Sequence, residues 1–203
     1  MDNMLKKALR DYRELREQFE NVLLGEESEL WEREARKFLS KRPCWNQKEN
    51  SYLKLISDGK KVVIASTDGK ETIANAQKIF PSGIDSDFKN WNLDVPSTPT
   101  KETKTQVFEM VKDGMFKDIF GSFGENLDRL CFTQSQIIFF VKNHAKWLRT
   151  GGYGTFFLFK VGKDYFVANV YLNSDGLYVY VDRFSCGYVW CAEYRRRIVV
   201  PQL

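Results

Sequence analysis

The sequence predicts an α+β chain: an N-terminal helical arm, then central helices packed on one face of a C-terminal antiparallel β-meander. Three observations carry this prediction. Leu5, Ala8, Tyr12, Leu15, Phe19 and Val22 recur with spacings 3-4-3-4-3, which places them on one stripe of a helix. Thr133 and Gln136 form a capping box ahead of the apolar run that begins at Ile137. From Thr155 onward the period is two, in five strand-like runs separated by short turns. Helices first and strands last is the order of an α+β domain whose helices gather on one side of the sheet.

Composition bounds the rest. The 203 residues are 43% hydrophobic and 29% charged, enough apolar material for a core that needs neither disulfides nor metals. That excludes disorder and allows one domain with a helical addition. Lys and Arg number 31 against 27 Asp and Glu, a near balance unlike that of a dedicated nucleic-acid binder. The first 17 residues interleave both charges and hold no apolar run of signal-peptide length, and the densest apolar run, Ile137 to Val141, ends after five residues. Secretion and a membrane span are therefore not expected. Cys44, Cys131, Cys186 and Cys191 are too few and too irregular for a disulfide framework and are read as reduced thiols in a cytoplasm.

The arm covers residues 1–44. Lys7/Asp11, Arg10/Glu14, Arg13/Glu17 and Arg16/Glu20 supply i,i+4 ion pairs on its polar side. Gly25 interrupts it, and a second helix carrying Leu30, Trp31, Ala35, Phe38 and Leu39 runs to about Ser40, before Arg42-Pro43. Two readings stand for the pair: a helical hairpin, or a short coiled coil that joins two copies. The α+β domain follows over 45–203. Tyr52 to Ile56 and Lys61 to Ala65 around Asp58-Gly59 predict a hairpin. Asp68 and Glu71 open a helix to Phe80, which Pro81-Ser82-Gly83 stops. A loop-rich connection occupies about 81–105, with Phe88 and Trp91 docking part of it.

Gln106 to Asp113 and Gly124 to Leu130 read as helices, with Met115 to Phe120 helical or turn-like between them. The helix opened by Thr133 buries Ile137, Ile138, Phe140, Val141, Ala145 and Leu148 and is closed by Gly151-Gly152. Thr155 to Val161, Tyr165 to Leu172, Leu177 to Phe184, Tyr188 to Cys191 and Arg195 to Val200 are the strands, and consecutive hairpins imply a meander.

No motif demands a particular chemistry. Gly151-Gly152-Tyr153-Gly154 leads from a helix into a strand, the reverse of a phosphate-binding loop, so no nucleotide cofactor is expected. His144 is the sole histidine and no C-x-x-C pair occurs, so no metal is expected. Cys131 precedes a helix N-terminus, but His144 lies about 16 Å further along that helix, too far for proton transfer. Asp85 with Asp87, or Asp182 with Glu193, are the remaining carboxylate pairs, and a hydrolase built on these or on Cys131 is one alternative. No residue is assigned a catalytic role.

Basic and aromatic residues occur together. Lys142, Lys146 and Arg149 are spaced for one helical face, and Arg195-Arg196-Arg197 is the densest positive run. Tyr178, Tyr180 and Asp182 share one face of their strand. Rings beside cations suit single-stranded nucleic acid, the other alternative. The principal expectation is a non-enzymatic cytoplasmic binding or interaction protein, partnered by an unknown protein or a second copy through residues 5–39.

The stretches Pro99 to Thr103, Gln106 to Gly114, Thr133 to Ile138, Trp147 to Thr150, Gly152 to Lys160, Glu193 to Arg197 and Val199 to Leu203 together resemble a family of uncharacterised small proteins of uncultured, reduced-genome bacteria. The resemblance covers roughly 71–203 and leaves out the N-terminal helices. It implies a bacterial, cytoplasmic origin and carries over no functional residues.

Overall fold

The computed structural model describes residues 12–13, 16–21, 24–25, 28–40 and 52–202. The chain divides into two compact units, Met1–Glu49 and Asn50–Leu203. In the first, 12–13 and 16–21 are helical and helix α1 spans Ser28–Leu39. Arg16 Nε donates to Glu20 at 2.7 Å, one of the i,i+4 pairs the spacing predicts. Phe19 meets Trp31 of α1 edge to face with ring centroids 6.4 Å apart. Leu5, Ala8, Leu15, Val22, Arg42-Pro43 and the pairs Lys7/Asp11 and Arg10/Glu14 lie outside the described residues.

An eight-stranded mixed sheet organises the second unit. Its strands are β1 (Leu53–Leu55), β2 (Val63–Ile64), β3 (Gly83–Ile84), β4 (Thr103–Met110), β5 (Gly154–Val161), β6 (Asp164–Asn173), β7 (Gly176–Arg183) and β8 (Arg197–Pro201). They lie in the order β1-β4-β8-β5-β6-β7-β3, and β2 also pairs with β4. The α+β class holds. The antiparallel run β5-β6-β7 is present, but the predicted meander does not continue through the C-terminus. Instead β8 inserts between β4 and β5, antiparallel to β4 at Phe108↔Ile198 and parallel to β5 at Phe156↔Ile198. Ile198, Val199 and Val200 are all fully buried, so this strand needs cover on both faces, which an edge position does not give. Tyr188 to Cys191, expected as a strand, contributes only an isolated bridge, Gly114↔Trp190.

Both faces of the sheet are covered, which corrects the expectation of helices on one side. Phe157, Phe159, Ala168, Val170, Val179, Val181 and Val199 meet helix α4 (Gln134–Asn143), while Phe156, Leu158, Val167, Ile198 and Val200 meet helix α3 (Phe116–Gly121). The same double burial explains the misreading of Gln106 to Asp113 as a helix. In β4, Val107 enters one core while Phe108 and Met110 enter the other, so strict alternation is lost and the apolar spacing mimics a helix. β1 and β2 do not form the predicted hairpin: both lie along β4, at Phe108 to Met110 and at Thr103 to Lys104.

The expected helix over Glu71 to Phe80 reduces to a 3₁₀ turn at Ile73–Asn75, and that over Gly124 to Leu130 to one at Leu127–Leu130. Asp68 accepts from the Lys70 N–H as a turn residue rather than capping a helix. The connection at 81–105 contains the edge strand β3 and a single helical turn, α2 (Asp87–Asn90). Phe88 is fully buried and stacks on Phe159 at 6.2 Å, and Trp91 lies on Phe166 at 6.2 Å, the docking their bulk predicts.

The capping box at α4 forms as read: Gln136 N–H donates to Thr133 Oγ1 at 3.2 Å and Thr133 N–H to Gln136 Oε1 at 2.9 Å. Its first turn also ties down the irregular segment. Gln134 accepts from the Ile73 N–H at 2.9 Å and donates to the Leu93 carbonyl at 2.6 Å, while Ser135 donates to the Glu71 carbonyl at 2.8 Å. Buried backbone groups without partners are costly, so Gln134 replaces the missing secondary structure there. Gln134→Leu keeps the bulk but orphans both groups, and urea denaturation is expected to register a loss of about 2–4 kcal/mol at unchanged m-value. A loss below about 1 kcal/mol would show that these two bonds do not hold the segment.

Candidate functional site

Cross-strand register puts the functional candidates on one grid, on the same face as α3. Gly154 opposes Tyr171, which opposes Tyr178; Phe156 opposes Asn169, which opposes Tyr180; and Leu158 opposes Val167, which opposes Asp182. On the other side of β5, Arg196 stands one residue ahead of the Thr155↔Arg197 pair, beside Gly154. The rows nearer α3 are apolar and covered. The outer corner, Arg196, Gly154, Asn169, Tyr171, Tyr178, Tyr180 and Asp182, is polar and aromatic. Tyr180 is 46% exposed.

Around Arg196 the rings and guanidinium groups interleave. The Arg149 guanidinium lies 5.5 Å from the Tyr153 ring, Tyr153 stacks on Tyr194 at 4.8 Å and 15°, and Arg196 lies 4.9 Å from both Tyr194 and Trp190. Tyr188 meets Trp190 edge to face at 4.8 Å and is 56% exposed. On β6 and β7, Tyr171 and Tyr178 both lie against Tyr180, with centroids 5.5 and 4.3 Å away. Cations held against ring faces gain from the ring quadrupole, most where water is excluded.

The three consecutive arginines have three environments. Arg195 is exposed in the left-handed conformation, φ 48°, which turns the chain from the Ala192–Tyr194 3₁₀ turn toward β8. Arg196 is buried on the tyrosine face and donates to the Cys191 carbonyl at 3.1 Å. Arg197 enters the opposite side, donating to the Leu148 and Lys146 carbonyls at 2.9 and 3.3 Å; burial and the nearby Arg149 charge lower its pKa. The run leads into β8, a central strand of the sheet.

The predicted helical stripe Lys142, Lys146, Arg149 is not formed. α4 ends at Asn143 because His144 leaves helical geometry at φ −125°, its Nε2 hydrogen-bonding the Val63 carbonyl at 2.7 Å. The chain then makes a 3₁₀ turn at Ala145–Trp147, leaving Ala145 exposed rather than buried, and Gly151 and Gly152, φ 77° and 81°, turn it toward β5 rather than closing the helix. Lys142 instead lines a cleft of about 600 Å³ with Lys70 and Lys78, on an element that packs against the other sheet face. Of the predicted site, Tyr178, Tyr180 and Arg196 share a face, Arg149 reaches its rim through Tyr153 and Tyr194, and Lys142 and Arg197 do not.

The residues of the hydrolase alternative have structural roles. The Cys131 thiol, pushed up to about 12 by burial and by the Asp128 charge, points to the Leu127 carbonyl at 3.4 Å. The Asp85 carboxylate accepts from the Asp87 and Val181 N–H groups, and Asp87 accepts from Asn90. Asp182, half-buried, lies near Asp85 and Asn169, and burial raises its pKa first, the Asp85 charge second. Among the described residues no three of His, Cys, Asp and Glu gather as a metal site.

Sequence reading missed Gly154, Asn169, Tyr153, Tyr171, Trp190 and Tyr194. One signal was available: Asn169 sits inside the otherwise apolar run Phe166 to Val170, where a polar residue in a central strand needs a reason. No protein-family model matches the chain, and neither a curated protein nor a solved structure does.

Burial and the Asp85 charge raise the Asp182 pKa, with Asn169 working against both. A raised carboxyl costs nothing below the ordinary aspartate range and progressively more as pH climbs through the raised value. Asp182→Asn is therefore expected to raise the melting temperature at about pH 7 and to lose that gain toward about pH 3. An equal gain at both pH values would remove the charge as its cause.

Proposed function

We propose that this protein is a non-enzymatic binding protein that takes single-stranded nucleic acid on the aromatic corner of its sheet. The observation that carries the reading is the alternation Arg149, Tyr153, Tyr194, Arg196, Trp190, Tyr188, in which each neighbour is within stacking or cation–π distance of the next. Single strands are bound by this chemistry: bases stack on rings and guanidinium planes while nearby cations meet the phosphates. Exposed Arg195 and the half-buried Arg149 are the cations suited to that second task. Arg196 and Arg197 hold the fold through backbone carbonyls, so replacing all three arginines together would test folding rather than binding. The reading fits the reduced thiols Cys131, Cys186 and Cys191 of a cytoplasmic protein.

Labelled ten-nucleotide single-stranded RNA and DNA are expected to bind with an affinity that falls as salt rises. Tyr180→Ala should weaken binding roughly fivefold to a hundredfold, the range for one lost stacking ring, and Arg195→Ala should flatten the salt dependence. Absence of binding at low salt would overturn the reading.

A second reading rests on α1, where Phe38 and Leu39 are 67% and 79% exposed: residues 5–39 join two copies of the chain. Sedimentation at rising concentration should then show a dimer that Phe38→Ser with Leu39→Ser abolishes. A monomer at every concentration would remove it.

A further inference from the structure

The cleft of about 600 Å³ that holds Lys142 lies on the α4 side of the sheet, whereas the aromatic corner is on the α3 side. Its walls are the irregular segment 70–79 and the last turn of α4. Lys70, Lys78 and Lys142 line it together with one acid, Glu71, and no aromatic ring. Among the described residues Lys78 and Lys142 enter no ion pair, and Lys70 reaches Asp68 only at 4.0 Å with both side chains exposed. A cleft lined mainly by one sign of charge focuses its field and concentrates the opposite ion. The neutral groups donate as well. Thr72, 4% exposed, accepts from Asn75 Nδ2 at 2.9 Å and keeps its own O–H, which has no acceptor among the described residues. Both walls are held in the free protein, because Gln134 and Ser135 of α4 bond the Ile73 N–H and the Glu71 carbonyl. A ligand therefore meets a formed cleft and does not have to order it.

We propose that this cleft is a second site, independent of the stacking reading, and that it binds a small phosphorylated sugar or polyol. Phosphate oxygens are strong acceptors, which suits a lining whose three lysines, Thr72 and Asn75 all donate. Glu71, the one carboxylate, accepts from a hydroxyl of the carrier. A lone phosphate ion has no hydroxyl-bearing carrier to meet Glu71 and fills only a small part of about 600 Å³. A nucleotide finds no ring on which to place its base, so the carrier is an aliphatic one.

The test is calorimetric titration of the full chain with glucose 6-phosphate and with inorganic phosphate at matched ionic strength. The sugar phosphate should bind about three- to tenfold more tightly, the effect of one or two added hydrogen bonds, and Glu71→Ala should erase that preference. Lys78→Gln and Lys142→Gln should each weaken binding about two- to fivefold, the range for an exposed charge pair. Both lysines are exposed, so the variants keep the fold. Lys163→Gln, which changes an exposed lysine outside this cleft, should leave the affinity as it is. Equal affinity for the two ligands overturns the sugar carrier, and an equal loss in Lys163→Gln overturns the cleft as the site. No binding of glucose 6-phosphate at millimolar concentration overturns the proposal outright. The same lysine variants should bind the ten-nucleotide RNA like the wild type; a matching loss there would make the cleft part of the nucleic-acid surface and overturn the small ligand.

Discussion

The insertion of β8 between β4 and β5 is the constraint on which the rest of the domain depends. Without it the chain holds two separate sheets, β1 and β2 on β4, and β5-β6-β7-β3. With it, Ile198 and Val200 complete the core beneath α3 while Val199 completes the core beneath α4, so one five-residue strand closes both layers. Contacts of such long sequence separation, Phe108 with Ile198 and Phe156 with Ile198, carry a loop-closure entropy cost that local contacts do not. The last strand is therefore the seam of the molecule rather than an appendage to it.

That seam also creates the candidate site. Alternation along the chain sends Arg196 to one face and Arg197 to the other, where each is anchored by carbonyls of neighbouring turns. Arg196 then becomes the link between the Tyr153–Tyr194 stack and Trp190. The polar corner is stability given up in place: Asn169 has an unpaired oxygen and Asp182 is an acid raised by burial, on a sheet whose other buried positions are almost all apolar. Sites that depart from packing rules in this way are where function is expected to reside.

The exposed ion-paired cluster near α3 illustrates the opposite case. Lys160 and Tyr165 both meet Asp128, at 2.7 and 2.8 Å, and hold its carboxyl below the usual range. The same negative charge helps push the Cys131 thiol upward, which makes it a poor nucleophile. Every group there has its partner, and the cluster asks for no ligand.

How legible each part was follows from how local its cause is. The α4 capping box was legible because Thr133 and Gln136 satisfy each other three residues apart. The β5-β6-β7 strands were legible because tight turns and apolar runs fix neighbours, and Tyr178, Tyr180 and Asp182 were placed on one face by the pleat alone. β4 was misread because burial on both faces erases the period of two, and the stripe of Lys142, Lys146 and Arg149 was misread because a bond from His144 to distant Val63 ends the helix early. By itself the sequence determined the class, the local caps and turns, and which side chains share a strand face, since each depends on residues a few positions apart. Only the tertiary structure decided that β8 lies at the centre, that Arg196 joins the tyrosines while Arg197 and Lys142 do not, and that Asn169 leans over Gly154, because these rest on pairings between strands far apart in the chain.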